Sequence, residues 1–251
     1  NLDYRGDLIF AGSFDDAGGV SAGCIASFHG DHWEPVGEHG ITGVFPRIRD
    51  MVEFEDDLVV AGCFTAADGI PAVNVARWDG VAWRAMGAGL PCGEAAALCV
   101  HDGQLFAAGS DHLYPYPPYD LQTTRLYGGF VYRWNGADWD QIIVTDEWTT
   151  DAVRALASYD GDLIVAGSFT VANGQPMRGI LAWDGAACRE FGGGLRYWTR
   201  CLLTVGDDLY AGGGISVASG QPAHYLVRWD GAAWHDVGGG LSGGNSRYGL
   251  Y

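Results

Sequence analysis

The chain has no lysine. All 14 of its basic residues are arginines, set against 31 aspartates and glutamates, and the formal net charge is −17. A surface this acidic is repelled by a phosphate backbone, which argues against nucleic acid and anionic membranes as partners. Also missing is any apolar run near the ~20 residues that a membrane-spanning helix needs. No basic-then-apolar leader opens the chain. Asn1 in place of Met reads as a processed or truncated start, so export stays open.

Cysteine is sparse and unpatterned. Cys24, Cys63, Cys92, Cys99, Cys188 and Cys201 form no CxxC pair, and no histidine stands at metal-ligand spacing from them. A zinc site is therefore not expected. Scattered buried thiols are the simple reading, with one disulfide as the alternative. The seven histidines show no i, i+2 or i, i+4 pairing of metal ligands. No glycine-rich phosphate loop qualifies, because the GGGL segments are followed by no helical pattern.

Glycine is plentiful, with 40 residues in 251 against a usual ~7%, and 48% of residues are hydrophobic. Many tight turns around a substantial core follow. Internal comparison shows why. One anchor recurs as GDLIFAGSF, DDLVVAGCF, GQLFAAGSD, GDLIVAGSF and DDLYAGGGI, with leucines at 8, 58, 105, 163 and 209. A second follows as SFHGDHW, RWDGVAW, RWNGADW, AWDGAAC and RWDGAAW, where Trp78 and Trp83, like Trp229 and Trp234, bracket a turn dipeptide. A third, of the RDMVEF and VRALASY type, precedes the next copy.

Each copy thus carries four short extended runs and no sustained helical spacing. Four strands in a period of about 45 residues is the pattern of a propeller blade. The expectation is an all-β chain forming a single five-bladed β-propeller over 1–251, with four antiparallel strands per blade and approximate repeats 1–47, 48–94, 95–152, 153–198 and 199–251. The first copy lacks most of its innermost strand, and the last runs on into SRYGLY. A C-terminal strand completing the first blade would close the ring and remove exposed edges. A fragment of a longer array is the alternative.

The combination DLIVAGSFT, a Gly-containing loop, ILAWDG and GGGL within residues 162–195 resembles the kelch-like propeller repeats of secreted bacterial proteins and of fungal cortical-marker (Rax2-like) ectodomains. The resemblance spans nearly the whole chain but rests on scaffold residues. It implies an extracellular, non-enzymatic propeller, secreted or at the cell surface, and transfers no active site. The third copy departs from the pattern at Ser110-Asp111-His112, and the first has Phe28-His29 where others have Trp-Asp or Trp-Asn. The five-blade count also matches the tachylectin-2 type of lectin in architecture, without its motifs.

Function is expected where the copies disagree. The loop between the second and third strands reads TAADGIP, TVANGQP and SVASGQP in three copies, but the third copy inserts Tyr114, Tyr116, Tyr119 and Tyr127 among prolines. Its following connection is lengthened too and carries Trp148. Both insertions should emerge on one face. Rings on stiffened loops suit carbohydrate stacking or protein recognition. An edge cover or an assembly contact between copies is the alternative use.

Three further constellations are present. Arg49, Arg154 and Arg200 occupy one position of the innermost strand, with Arg247 as a fourth member from the closing strand, so a channel site for an anion is one reading and local pairing with Asp50 or Asp151 the other. Asp50, Glu94 and Asp151 lie near the innermost strands and supply the carboxylates that a glycan-active enzyme, glycosidase-like in type, would need. Their offsets differ, so they make no repeated ring, and no catalytic residue is assigned outside that alternative. Many acids belong to Asp-Gly turns. Halophilic adaptation or calcium, through Asp15, Asp16 or Asp68, is the other use for them, though none has EF-hand spacing. No other metal or cofactor is implied.

Overall fold

The computed structural model describes residues 1–110, 128–146 and 153–241, and every regular element among them is a strand. Each copy of the repeat builds one four-stranded antiparallel sheet with its strands in chain order. The first sheet holds Leu2–Tyr4, Asp7–Ala11, Ile25–His29 and His32–Pro35. The second holds Arg47–Phe54, Asp57–Cys63, Val75–Trp78 and Trp83–Ala85, and the third Glu94–His101, Gln104–Ser110, Gly129–Trp134 and Trp139–Val144. The fourth holds Val153–Tyr159, Asp162–Gly167, Ile180–Trp183 and Cys188–Glu190, and the fifth Thr199–Val205, Asp208–Gly213, Leu226–Trp229 and Trp234–Asp236.

Strand identity follows from side-chain type. The second strands, DLVVAGC and DLIVAG, are buried at every position, as strands covered on both faces must be. Their partners on each side come by hairpins. Between first and second strands the turns have two residues in left-handed conformation, Arg5-Gly6, Glu55-Asp56, Asp102-Gly103 and Asp160-Gly161, which suits the twist of antiparallel strands.

The Asp-Gly segments make a different turn from the two-residue hairpin that the dipeptide favours. Trp78 pairs directly with Trp83, leaving a four-residue loop in which only Gly80 is left-handed. Asp79 Oδ1 accepts the amides of Val81 and Ala82, both at 2.8 Å. Asp184, Asp230 and Asn135 repeat this with their own second and third neighbours. The side chain closes the loop by taking two amides that the ladder leaves unpaired. Above it the tryptophan rings meet at 5.5 Å for Trp78 and Trp83, 5.3 Å for Trp134 and Trp139, and 5.4 Å for Trp229 and Trp234.

The chain divides into two compact units. One comprises Asn1–Val100 with Gln104–Ala107 and Tyr132–Asp140. Its core is built on Ile9, Ile25, Ile41, Leu58, Val60, Phe64 and Trp83. Here Tyr4 donates to the Asp56 carbonyl at 3.0 Å, Trp83 Nε1 to Val36 at 3.0 Å and Trp139 Nε1 to Met86 at 3.2 Å, so each copy is tied to its neighbour's backbone. The other comprises His101–Gly103, Ala108–Val131 and Gln141–Tyr251, with a core on Ile164, Ile180, Phe191, Leu209 and Ile215. There Tyr159 repeats the role of Tyr4, donating to the Asp207 carbonyl at 2.9 Å.

All six cysteines are free thiols. No helix among the described residues is long and apolar enough to cross a membrane. The expected closing strand, with Arg247, lies outside the described residues.

Candidate functional site

The loops that looked interchangeable in sequence are small β-hairpins. Ala66–Ala67 pairs with Ile70–Pro71, Val171–Ala172 with Gln175–Pro176, and Val217–Ala218 with Gln221–Pro222. Their turns, Asp68-Gly69, Asn173-Gly174 and Ser219-Gly220, are left-handed at both residues. Each hairpin also takes a strand from the connection that precedes its own sheet: Ile41–Thr42 on Ala66–Ala67, Thr145 on Ala172, and Leu195–Arg196 on Val217–Ala218. Connection and hairpin therefore share one side of their unit.

The first turn residue locks this arrangement. Asp68 accepts the amides of Glu38, His39 and Gly40 at 3.0, 2.7 and 2.9 Å. Asn173 accepts the Val144 amide and donates to the Ile142 carbonyl. Ser219 donates to the Gly192 carbonyl. The Asp68 carboxylate, considered above for calcium, is spent on backbone amides, and no cluster of three or more metal-ligating side chains occurs among the described residues.

In the second unit this construction encloses a cleft of about 680 Å³ between the hairpin of the fourth sheet, the Gly193–Tyr197 connection and the hairpin of the fifth. The connection reaches that position because Gly192, Gly193 and Gly194 are all left-handed, and a Cβ on Gly194 would stand 2.5 Å from that of Arg178. Buried Phe169 contributes the apolar floor. Thr170 is held at the rim by Asp146, which accepts its hydroxyl at 2.6 Å and the amides of Thr170 and Val171. Arg178, Arg196 and Tyr197 complete the lining. Tyr197 is 56% exposed at φ 73°, with the Arg196 guanidinium 5.8 Å from its ring centre.

The sequence signal for these residues was weak but present. Arg178 occupies the column held by Val73 and His224 in sister hairpins, and Arg196-Tyr197 stands where the second copy has Pro91-Cys92. The copies disagree there by substitution rather than insertion, which is easily overlooked beside a long inserted loop. Tyr114, Tyr116, Tyr119, Tyr127, Trp148 and Asp151 lie outside the described residues.

The repeated arginines have a definite structural place. Each is the residue skipped where the ladder shifts register: Arg49 between Ile48 and Asp50, Arg154 between Val153 and Ala155, Arg200 between Thr199 and Cys201. A bulge leaves its extra residue unpaired and re-aims the side chain. Arg49 turns to Glu94, the first residue of the third sheet, rather than to Asp50, and Arg47 reaches the same carboxylate oxygen, both at 2.5 Å. In the other unit, Arg154 and Arg200 stand on first strands that pack against each other, and both are engaged.

Glu94 is only 6% exposed. Burial acts to raise its carboxyl, but the hydrogen bonds from Arg47 and Arg49 outweigh it and hold it below the ordinary value. Asp50 goes the other way. Burial pushes its carboxyl up, against the amides of Leu98 and Met51 that it accepts at 2.7 and 2.9 Å. Leu98 is four residues along the strand from Glu94, about 13 Å of extended chain. The two acids thus address different points of that strand. Comparison with protein-family models finds none that matches the chain, and comparison with curated proteins finds no significant relative.

Proposed function

We propose that this chain is an extracellular, non-enzymatic recognition module of the kelch-like or cortical-marker type, a five-bladed propeller that binds carbohydrate or protein through the loops on its connection-and-hairpin side. The observation that carries the reading is the cleft of the second unit, where a rigid lattice of hairpins presents an exposed aromatic ring and two arginines. Loops fixed by a scaffold are the usual carriers of binding. Five four-stranded sheets, one per copy, with a tyrosine or tryptophan of each of the first four copies bonded to a neighbour's backbone, support a blade arrangement. The engagement of Glu94 by two guanidinium groups and of Asp50 by two amides supports recognition over glycosidic chemistry at those acids.

The test is a glycan array and a protein pull-down with the purified chain, repeated with Tyr197→Ala and with Tyr114, Tyr116, Tyr119 and Trp148 changed together to Ala. Saturable binding weakened by either variant is the expected result. Ligand binding indifferent to both variants removes the site assignment, and turnover of a bound glycan removes the non-enzymatic reading.

A further inference from the structure

The cleft differs from the rest of the described surface in its charge partners. Among the described residues Arg47, Arg49, Arg77, Arg84, Arg133, Arg189 and Arg228 each pair with a carboxylate. Arg5 donates to the Asp56 carbonyl, and Arg154 and Arg200 are engaged. Arg178 and Arg196 form no ion pair or side-chain hydrogen bond with a described residue, and both line the same cleft. In a chain with 31 acids and 14 basic residues, two arginines without an acidic partner lining one cleft are not what chance placement gives. Among the described residues that line the cleft there is no acid.

We infer that the cleft is a subsite for a carboxylate-bearing oligosaccharide, a short run of uronic-acid sugars, with Arg178 and Arg196 reading the carboxylate and Tyr197 giving the stacking face. This rests on the recognition reading above and names the ligand class. A guanidinium offers a planar fork of donors that matches a carboxylate. An aromatic face half open to solvent suits the apolar face of a sugar ring, and Arg196 beside it stiffens the platform. The volume falls in the range of small-molecule sites.

An acidic peptide is the competing occupant, and the backbone disfavours it. A peptide binding by strand addition needs an open row of amides and carbonyls. Here the Leu195 amide already donates to Arg178, the Thr170 amide to Asp146, the Met177 amide to Thr170 and the Ser216 amide to Arg196. These bonds leave no continuous open strand edge for a peptide to extend.

Calorimetric titration of the whole 251-residue chain with trimers of galacturonate, glucuronate and mannuronate, each paired with its methyl ester, tests the proposal. At least one acid trimer should bind, its ester about tenfold or more weaker, as expected from losing charged hydrogen bonds. Arg178→Gln and Arg196→Gln should each weaken it by a similar factor. Tyr197→Ala should abolish it, Tyr197→Phe preserve it, with near-ultraviolet dichroism confirming the fold. Equal binding of acid and ester, indifference to both arginine substitutions, or no binding of any acid trimer overturns the proposal. Binding of hexaglutamate through the same arginines without any uronate trimer also overturns it. In each of these cases the recognition reading survives if the array or pull-down still finds a ligand.

Discussion

Asn173 donates its side-chain amide to the carbonyl of Ile142 at 3.1 Å, the bond that a tryptophan indole makes in sister copies. Trp83 reaches Val36 and Trp139 reaches Met86, each three residues beyond the Trp of the preceding sheet, and Ile142 is the next carbonyl in that series. The fourth copy has Cys188 where the indole would be, and Asn173 also lies 3.8 Å from its sulfur.

Asn173→Ala should therefore lower stability by about 1 kcal/mol, since it strips a partner from both the Ile142 carbonyl and the Val144 amide at a solvent-accessible site. Adding Cys188→Trp in that background should recover much of the loss. Urea denaturation of the two single variants and the double variant measures the coupling, and strictly additive effects would show that the two side chains do not share this carbonyl.

Glu94→Gln should cost about 2–4 kcal/mol, because Arg47 and Arg49 converge on one carboxylate oxygen in a largely buried pair and would keep their charge without it. Arg49→Gln should cost less, its side chain being partly exposed while Arg47 still neutralises the acid. Chemical denaturation ranks the variants, and equal small losses would remove Glu94 from its structural role.

The Glu55-Asp56 turn is left-handed at two non-glycine residues, whereas the Arg5, Asp102 and Asp160 turns place Gly second. Asp56→Gly should stabilise the protein by about 0.5–1 kcal/mol, the relief of left-handed strain exceeding the added unfolded-state entropy. Only the Asp56 carbonyl is used by Tyr4 and Arg5, so those bonds persist. A rise in thermal midpoint checks it.

Acid should unfold the turns in a defined window. The amides of Ala233 and Ala232, with His235, hold the Asp230 carboxyl down to about 2, and amide bonds depress Asp79 and Asp184 as well. A carboxyl whose folded value lies below its unfolded one, about 3.9, stabilises above the unfolded value and loses that contribution as pH falls through the folded one. The loss at Asp230 should run from about pH 4 to about pH 2, while Asp50, shifted upward, opposes it. Asp230→Asn should keep the turn, as Asn135 does naturally, and flatten stability across that window. Thermal melts from pH 2 to 7 provide the measurement.

The strands were legible from local chemistry. DLIVAG and DLVVAG declare a strand buried on both faces, and Trp-Asp-Gly-x-x-Trp declares a hairpin, because burial and turn geometry act over a few residues. The repeat likewise pointed to Arg49, Arg154 and Arg200 as equivalent, since one strand position was reused. Tertiary structure alone decided that each of them sits on a bulge, that Arg49 meets Glu94 of the third sheet instead of adjacent Asp50, and that Asn173 answers for Cys188 at Ile142. It also brought Arg178 and Arg196, 18 residues apart in sequence, to one cleft. A single chain shows which residue types recur, but which carboxylate neutralises which guanidinium depends on distances between copies, and so does which guanidinium is left over.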